Sequence, residues 1–214
     1  MKFKHNPSFG SAYVMSPAME LYVRNLLNPL LLKKGLALFP MEFILGEHYQ
    51  ENGEQLYVRS LQNLTRSCNT MHRYGANNLL GKDLFEIIIS KIKPFLCEYF
   101  GLDVCADFEL YQDFTVHYSA RLDRRLDIHT DDSDITINIC LKNNMARSGL
   151  QFYGASSTLF SETSNAIIDM ELGQYDVLIH RGSHPHQVLS ISSEGRSEDV
   201  ESERVNLILW VKVK

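Results

Sequence analysis

The run Leu126-Asp127-Ile128-His129-Thr130-Asp131-Asp132-Ser133-Asp134-Ile135-Thr136-Ile137-Asn138-Ile139-Cys140-Leu141 decides how this chain is read. Ile135 to Leu141 is a β-type run of branched residues, and the Asp and Ser cluster ahead of it marks a turn. In an extended segment residues i and i+2 point to the same side, so His129 and Asp131 can both reach one ion. A third ligand must come from another strand.

His186 supplies it, in Ser183-His184-Pro185-His186-Gln187-Val188. A His-x-Asp pair followed after a long gap by one more His is the footprint of the 2-His-1-carboxylate facial triad, which holds Fe(II) by one face and leaves the opposite positions open. His184 is the rival ligand, two residues earlier. Pro185 disturbs simple alternation between them, and the His-x-Val pattern at His186-Gln187-Val188 favours His186. His184 then belongs behind the ligands or at the surface, and His180 reads as a pocket wall or a core histidine. Asp132 and Asp134 have no EF-hand spacing; they read as turn residues or as carboxylates that orient a ligand, with Asp127 a further candidate for orienting His129.

Working outward, Phe108 to Tyr118, Leu150 to Tyr153, Tyr175 to His180, Gln187 to Ile191 and Val205 to Val213 are further short β-type runs between Gly, Asp, Asn and Ser clusters. Upstream, Leu84, Phe85, Ile88, Ile89, Ile92, Phe95, Leu96 and Tyr99 recur at helical intervals over residues 82–100, with Gly101 as the stop. Residues 16–34 read as a helix with Ser16 as N-cap and Pro17 in its first turn. Gly35 to Pro40 reads as a short strand, and residues 41–82 as loops with short elements. Strands after a helical lead-in predict an α+β chain: a double-stranded β-helix (a cupin-like jelly roll) buttressed by N-terminal helices. The expected division is a supporting region, 1–107, packed on a core, 108–214. The polar, acidic stretch 192–203 reads as an exposed excursion between two strands.

The 214 residues, 44% hydrophobic and 22% charged, suit one compact unit with a sizeable core. The net charge of −5 argues against broad electrostatic binding of nucleic acid. The four cysteines, Cys68, Cys97, Cys105 and Cys140, have no metal-knuckle spacing and suit reduced, mostly buried thiols. No secretory signal and no apolar run of bilayer length is visible, so a soluble cytoplasmic or nuclear protein is expected.

The last β-type run adds a second clue. In Glu203-Arg204-Val205-Asn206-Leu207-Ile208-Leu209-Trp210, alternation puts Arg204, Asn206, Ile208 and Trp210 on one face, and Val205, Leu207 and Leu209 on the other. A guanidinium inside a barrel needs an anion, because burying a lone charge is costly. A bidentate carboxylate is its natural partner. A solvent-facing Arg paired with Glu203 is the plain alternative. Downstream of a His-x-Asp…His set, the anion clamp is the better reading.

These stretches together resemble the Fe(II)- and 2-oxoglutarate-dependent dioxygenases, in the branch of prolyl 4-hydroxylases and lysyl hydroxylases. The similarity lies in Tyr111 to Leu141, Gly149-Leu150-Gln151-Phe152, Val177 to Val188 and Glu203 to Trp210, and within the branch it is greatest to the 2-oxoglutarate and iron-dependent oxygenase domain-containing group. Asn69-Thr70-Met71-His72-Arg73-Tyr74-Gly75 is similar to that group too. The resemblance implies Fe(II) on His129, Asp131 and His186, with Arg204 on the distal carboxylate of 2-oxoglutarate. Tyr118 stands where a phenol hydrogen-bonds the same cosubstrate, and Asn206 where a small polar residue serves it. Thr136 and Asn138 line the pocket from the facing strand. It implies O₂ as oxidant, ascorbate as an accessory reductant, and hydroxylation of a prolyl or lysyl side chain in a protein or peptide, with release of succinate and CO₂. The same chemistry on a small molecule or a nucleic acid base, and a noncatalytic metal-binding cupin-like module, are the competing readings. One departure from the family is the longer gap between His186 and Arg204, which the acidic stretch occupies; loop length of this kind costs little.

Overall fold

The computed structural model describes residues 35–63, 79–119, 124–145, 149–154, 167–189 and 202–214. The expected helix at 16–34, the Asn69–Gly75 stretch, Cys68 and most of the acidic excursion lie outside these residues.

Two antiparallel sheets face each other. The larger has the order β1-β7-β4-β9-β2 and the smaller β3-β8-β5-β6. Their strands are β1 (Leu36–Pro40), β2 (Phe108–Ser119), β3 (Leu126–His129), β4 (Ile135–Asn143), β5 (Gly149–Tyr153), β6 (Ile167–Glu171), β7 (Asp176–Arg181), β8 (His186–Val188) and β9 (Glu203–Val213). This is the expected jelly roll. β1 comes from the N-terminal region, so that region contributes a strand as well as helices.

The sequence pattern explains which face meets which neighbour. Along β4, Ile135, Ile137, Ile139 and Leu141 join Val177 and Ile179 of β7 and Leu207, Leu209 and Val211 of β9 in one apolar layer. Helix α3 (Lys82–Phe100) closes over it with Phe85, Ile88, Ile92, Leu96 and Phe100, a stripe spaced three and four residues apart. Gly101 ends the helix in the left-handed region, φ 65° and ψ 33°, where glycine has no Cβ to clash. The opposite face of the same strands looks into the barrel toward Leu150, Phe152, Met170 and Val188 of the smaller sheet.

Residues 41–63 are more helical than the expected loops with short elements. They form α1 (Met41–Leu45), a single 3₁₀ turn (Gly46–His48) and the 15-residue α2 (Tyr49–Asn63). The buried stripe of α2 is Gly53, Leu56 and Ser60. Two of the three are not apolar, so the helical period leaves almost no hydrophobic trace. Gly53 is required there: a Cβ would lie 2.4 Å from the ring of Tyr175. The sequence also hides β6, a five-residue edge strand in which only Met170 is fully buried.

Candidate metal centre and anion pocket

His129 ends β3, Asp131 lies in the turn that follows, and His186 opens β8 directly opposite His129 in the ladder. The local fold thus brings the three expected ligands together, and their donor atoms all lie within 4.8 Å of one another. Asp131 Oδ1 is 3.7 Å from His129 Nε2, and Asp131 Oδ2 is 3.9 Å from His186 Nε2. Two atoms bound to one metal at about 2.1 Å sit at most about 4.2 Å apart. Both carboxylate–imidazole separations fall under that ceiling, and the three side chains are gathered where one ion could be held.

Each ligand is oriented from behind. His129 Nδ1 is 2.8 Å from the Asp127 carbonyl, and His186 Nδ1 is 2.9 Å from the His184 carbonyl. A carbonyl only accepts, so Nδ1–H donates and Nε2 keeps its lone pair for the metal. The Asp127 side chain has no part in this; it is exposed and 3.6 Å from Arg125. Thr136 Oγ1 donates to Asp131 Oδ2 at 2.6 Å and is itself 2.8 Å from Ser133 Oγ. Asp132 and Asp134 turn outward, toward Lys212 and the Val213 amide. The metal turn is fastened to the turn before β8 by Asp131 N donating to the Gly182 carbonyl at 2.8 Å and by Gly182 N donating to Asp134 O at 3.2 Å. No side chain fits at 182, because a Cβ would lie 2.0 Å from Ser133 O.

Two more histidines wall the site. His180 is 1% exposed, with Nε2 3.8 Å from Asp131 Oδ2 and its ring centroid 4.7 Å from that of His186. Burial, then the His186 imidazole, holds its pKa well below the usual histidine value. Burial also lowers His186, against the upward pull of Asp131, and brings His184 down to about 4. Each shift favours the neutral ring, the form of histidine that binds a metal. His184 is fully buried rather than at the surface; its contribution is the carbonyl that holds His186. Phe152 stacks on His186 at 5.2 Å and meets His180 and His184 edge-on.

At the far end of the same interior face sits Arg204, 1% exposed. Its ladder partners are Tyr118 on β2 and Asn143 on β4. The guanidinium lies 4.8 Å from the centre of the Tyr118 ring. Burial lowers its pKa, while Tyr118 and Cys140 pull the other way; an arginine keeps its charge under such a shift. Burial pushes the Cys140 thiol up to about 12 despite that nearby cation. Between Arg204 and the metal turn, Asn206 Nδ2 donates to Asn138 Oδ1 at 2.5 Å. Further along, Trp210 is the ladder partner of Thr136, whose hydroxyl holds Asp131. One strand face thus runs from a buried cation, past an amide pair, to the metal ligands. That donor set suits a small ligand with a carboxylate at one end and metal-binding oxygens at the other.

Fold and site together define a jelly roll that gathers two imidazoles and a carboxylate as a candidate metal centre. No protein-family model matches the chain. A zebrafish (Danio rerio) "2-oxoglutarate and iron-dependent oxygenase domain-containing protein 2" is 32% identical over 151 residues, covering 67% of this chain and 40% of the relative. Its namesake in Xenopus tropicalis is 31% identical over 168 residues, covering 72% and 44%. The chain therefore spans less than half the length of these relatives. Among solved structures, IDO from Bacillus thuringiensis has a TM-score of 0.61 at 16% identity, covering 94% of this chain and 98% of that one. An oxidoreductase of the 2OG-Fe(II) oxygenase family from Burkholderia pseudomallei has a TM-score of 0.57 at 14% identity, covering 90% and 89%. In sequence the chain is thus similar to part of proteins named as 2-oxoglutarate and iron-dependent oxygenases, and in fold to a solved 2OG-Fe(II) oxygenase.

Proposed function

We propose that the chain is a 2-oxoglutarate-dependent oxygenase that hydroxylates a prolyl or lysyl side chain of a protein or peptide. The observation that carries the oxygenase reading is the convergence of His129, Asp131 and His186 on the interior face that also buries Arg204 against Tyr118. When bound, Fe(II), 2-oxoglutarate and O₂ supply the chemistry: the keto acid leaves as succinate and CO₂, and one oxygen atom goes to a substrate C–H bond. The chain's own residues bind and orient. His129, Asp131 and His186 hold the metal, and the carbonyls of Asp127 and His184 keep the imidazoles in the binding tautomer. Arg204 would take the distal carboxylate, with the Tyr118 ring 4.8 Å from its guanidinium. Asn206, Asn138 and Thr136 complete the polar lining, and Thr136 in addition braces Asp131. The buried walls of Phe152, His180 and Ile208 keep water out.

The peptidyl substrate rests on the likeness of Tyr111 to Leu141 and Val177 to Trp210 to the prolyl and lysyl hydroxylase branch. Its test is succinate release by the Fe(II)-loaded protein with and without proline- and lysine-containing peptides, paired with mass spectrometry of the peptides. A 16 Da gain that disappears in His129→Ala supports the proposal. Succinate release that no peptide stimulates, with no mass gain, removes the peptidyl substrate. No succinate under any condition removes the oxygenase reading.

A further inference from the structure

The outer face of the larger sheet holds a polar cluster directly behind the anion pocket. Glu203, the first residue of β9, accepts a hydrogen bond from Tyr57 of helix α2 at 2.7 Å through Oε1. Its Oε2 is 2.9 Å from His117 Nε2 on β2. Its amide donates to Asn144 Oδ1 at 2.6 Å, and its carbonyl accepts from the Asn144 amide at 3.1 Å. Glu203 and His117 are only 15% and 17% exposed. A helix, the partner strand β2 and the end of β4 therefore meet on one residue.

The next residues along both strands carry the pocket. Arg204 follows Glu203 on β9 and Tyr118 follows His117 on β2, and Arg204 and Tyr118 are ladder partners. Successive residues point to opposite faces, so Glu203–His117 outside and Arg204–Tyr118 inside are the same two strands gripped from two sides. A slip of one residue would turn Arg204 out of the barrel. Strand ends are where local opening costs least, and Arg204 is only the second residue of its strand.

We infer that Glu203 is a positioning residue for the Arg204–Tyr118 pair, tying helix α2 to the anion pocket through Tyr57 and His117. The inference rests on the 2-oxoglutarate reading of that pocket. The test compares Glu203→Ala, Glu203→Gln, Tyr57→Phe and Arg204→Ala by anaerobic 2-oxoglutarate titration of the Fe(II)-loaded protein. Fe(II) affinity is measured in parallel by chelator competition. Hydrogen bonds to a buried charged group set the scale at about tenfold or more in affinity. Glu203→Ala should weaken 2-oxoglutarate binding about tenfold and leave Fe(II) affinity within about twofold. Glu203→Gln keeps one carbonyl oxygen to accept from Tyr57 and turns an amide N–H toward a neutral His117, so it should recover part of the loss. Tyr57→Phe removes one oxygen atom and should weaken binding about threefold; it keeps the test open if Glu203→Ala does not fold. Wild-type affinity in Glu203→Ala and Tyr57→Phe, with Arg204→Ala impaired, overturns the inference alone. An equal loss of Fe(II) and 2-oxoglutarate affinity in Glu203→Ala also overturns it, as a general structural role. No 2-oxoglutarate binding by the wild type, or full binding by Arg204→Ala, overturns the pocket reading beneath it.

Discussion

The two faces of the larger sheet are equally buried and chemically opposite. On β4, Ile135, Ile137 and Ile139 of the helix-covered face and Thr136, Asn138 and Cys140 of the interior face are each at most 6% exposed. On β9 the outer Val205, Leu207 and Leu209 alternate with Arg204, Asn206 and Ile208. Burial alone does not tell core from site here. Away from the Glu203–His117 end, the outer face serves stability, because its apolar side chains need nothing but each other. The inner face holds groups whose desolvation is costly unless something polar meets them.

Substitutions should divide along that line. The largest effect belongs to Asp131→Ala. It removes the only charged ligand, so Fe(II) affinity should fall by more than the roughly 100-fold that lost outer contacts reach, read by chelator competition. Arg204→Met should come next, with a loss of about 2–5 kcal/mol in 2-oxoglutarate binding, the scale for truncating one side of a buried charge pair. Its Fe(II) affinity should stay close to wild type. Ile137→Ala crosses to the outer face and should reverse the pattern. It should cost about 2–5 kcal/mol of stability, the range for emptying a buried aliphatic site, in denaturant unfolding, with cosubstrate affinity of the folded fraction unchanged. The smallest effect is expected for Thr136→Val. This near-isosteric change keeps the shape and deletes the hydroxyl donor to Asp131, so Fe(II) affinity should fall about 10- to 100-fold. If Ile137→Ala altered cosubstrate affinity as much as Arg204→Met does, the division between the faces would not hold.

The interior face was largely legible in the sequence because alternation acts on polarity even where exposure is uniform. Arg204, Asn206, Thr136 and Asn138 stand out as polar residues at every second position of apolar runs. His129 and Asp131 share the same parity, and the fold brings both to His186. What stayed hidden depends on contacts between distant segments. The carbonyls of Asp127 and His184 hold the ligand imidazoles, and a backbone carbonyl carries no side-chain signature. Tyr57 meets Glu203 across 146 residues, and the helix that delivers it buries Gly53 and Ser60 in place of apolar residues. His180 had a usable signal: it shares parity with His184 and His186, and all three rings turn inward beside Phe152. The jelly roll was readable from its many short runs, yet β6 was not, because an edge strand with one fully buried side chain leaves little pattern.

The central claim is that one interior face binds Fe(II) at His129, Asp131 and His186 and 2-oxoglutarate at Arg204. Anaerobic absorbance titration tests it most directly. Adding Fe(II) and then 2-oxoglutarate to the wild-type protein should produce a visible metal-to-ligand charge-transfer band that saturates at one equivalent of each. The band should be absent in Asp131→Ala and should require far higher 2-oxoglutarate in Arg204→Met. No band in the wild type, or a band of unchanged midpoint in Arg204→Met, would contradict the account.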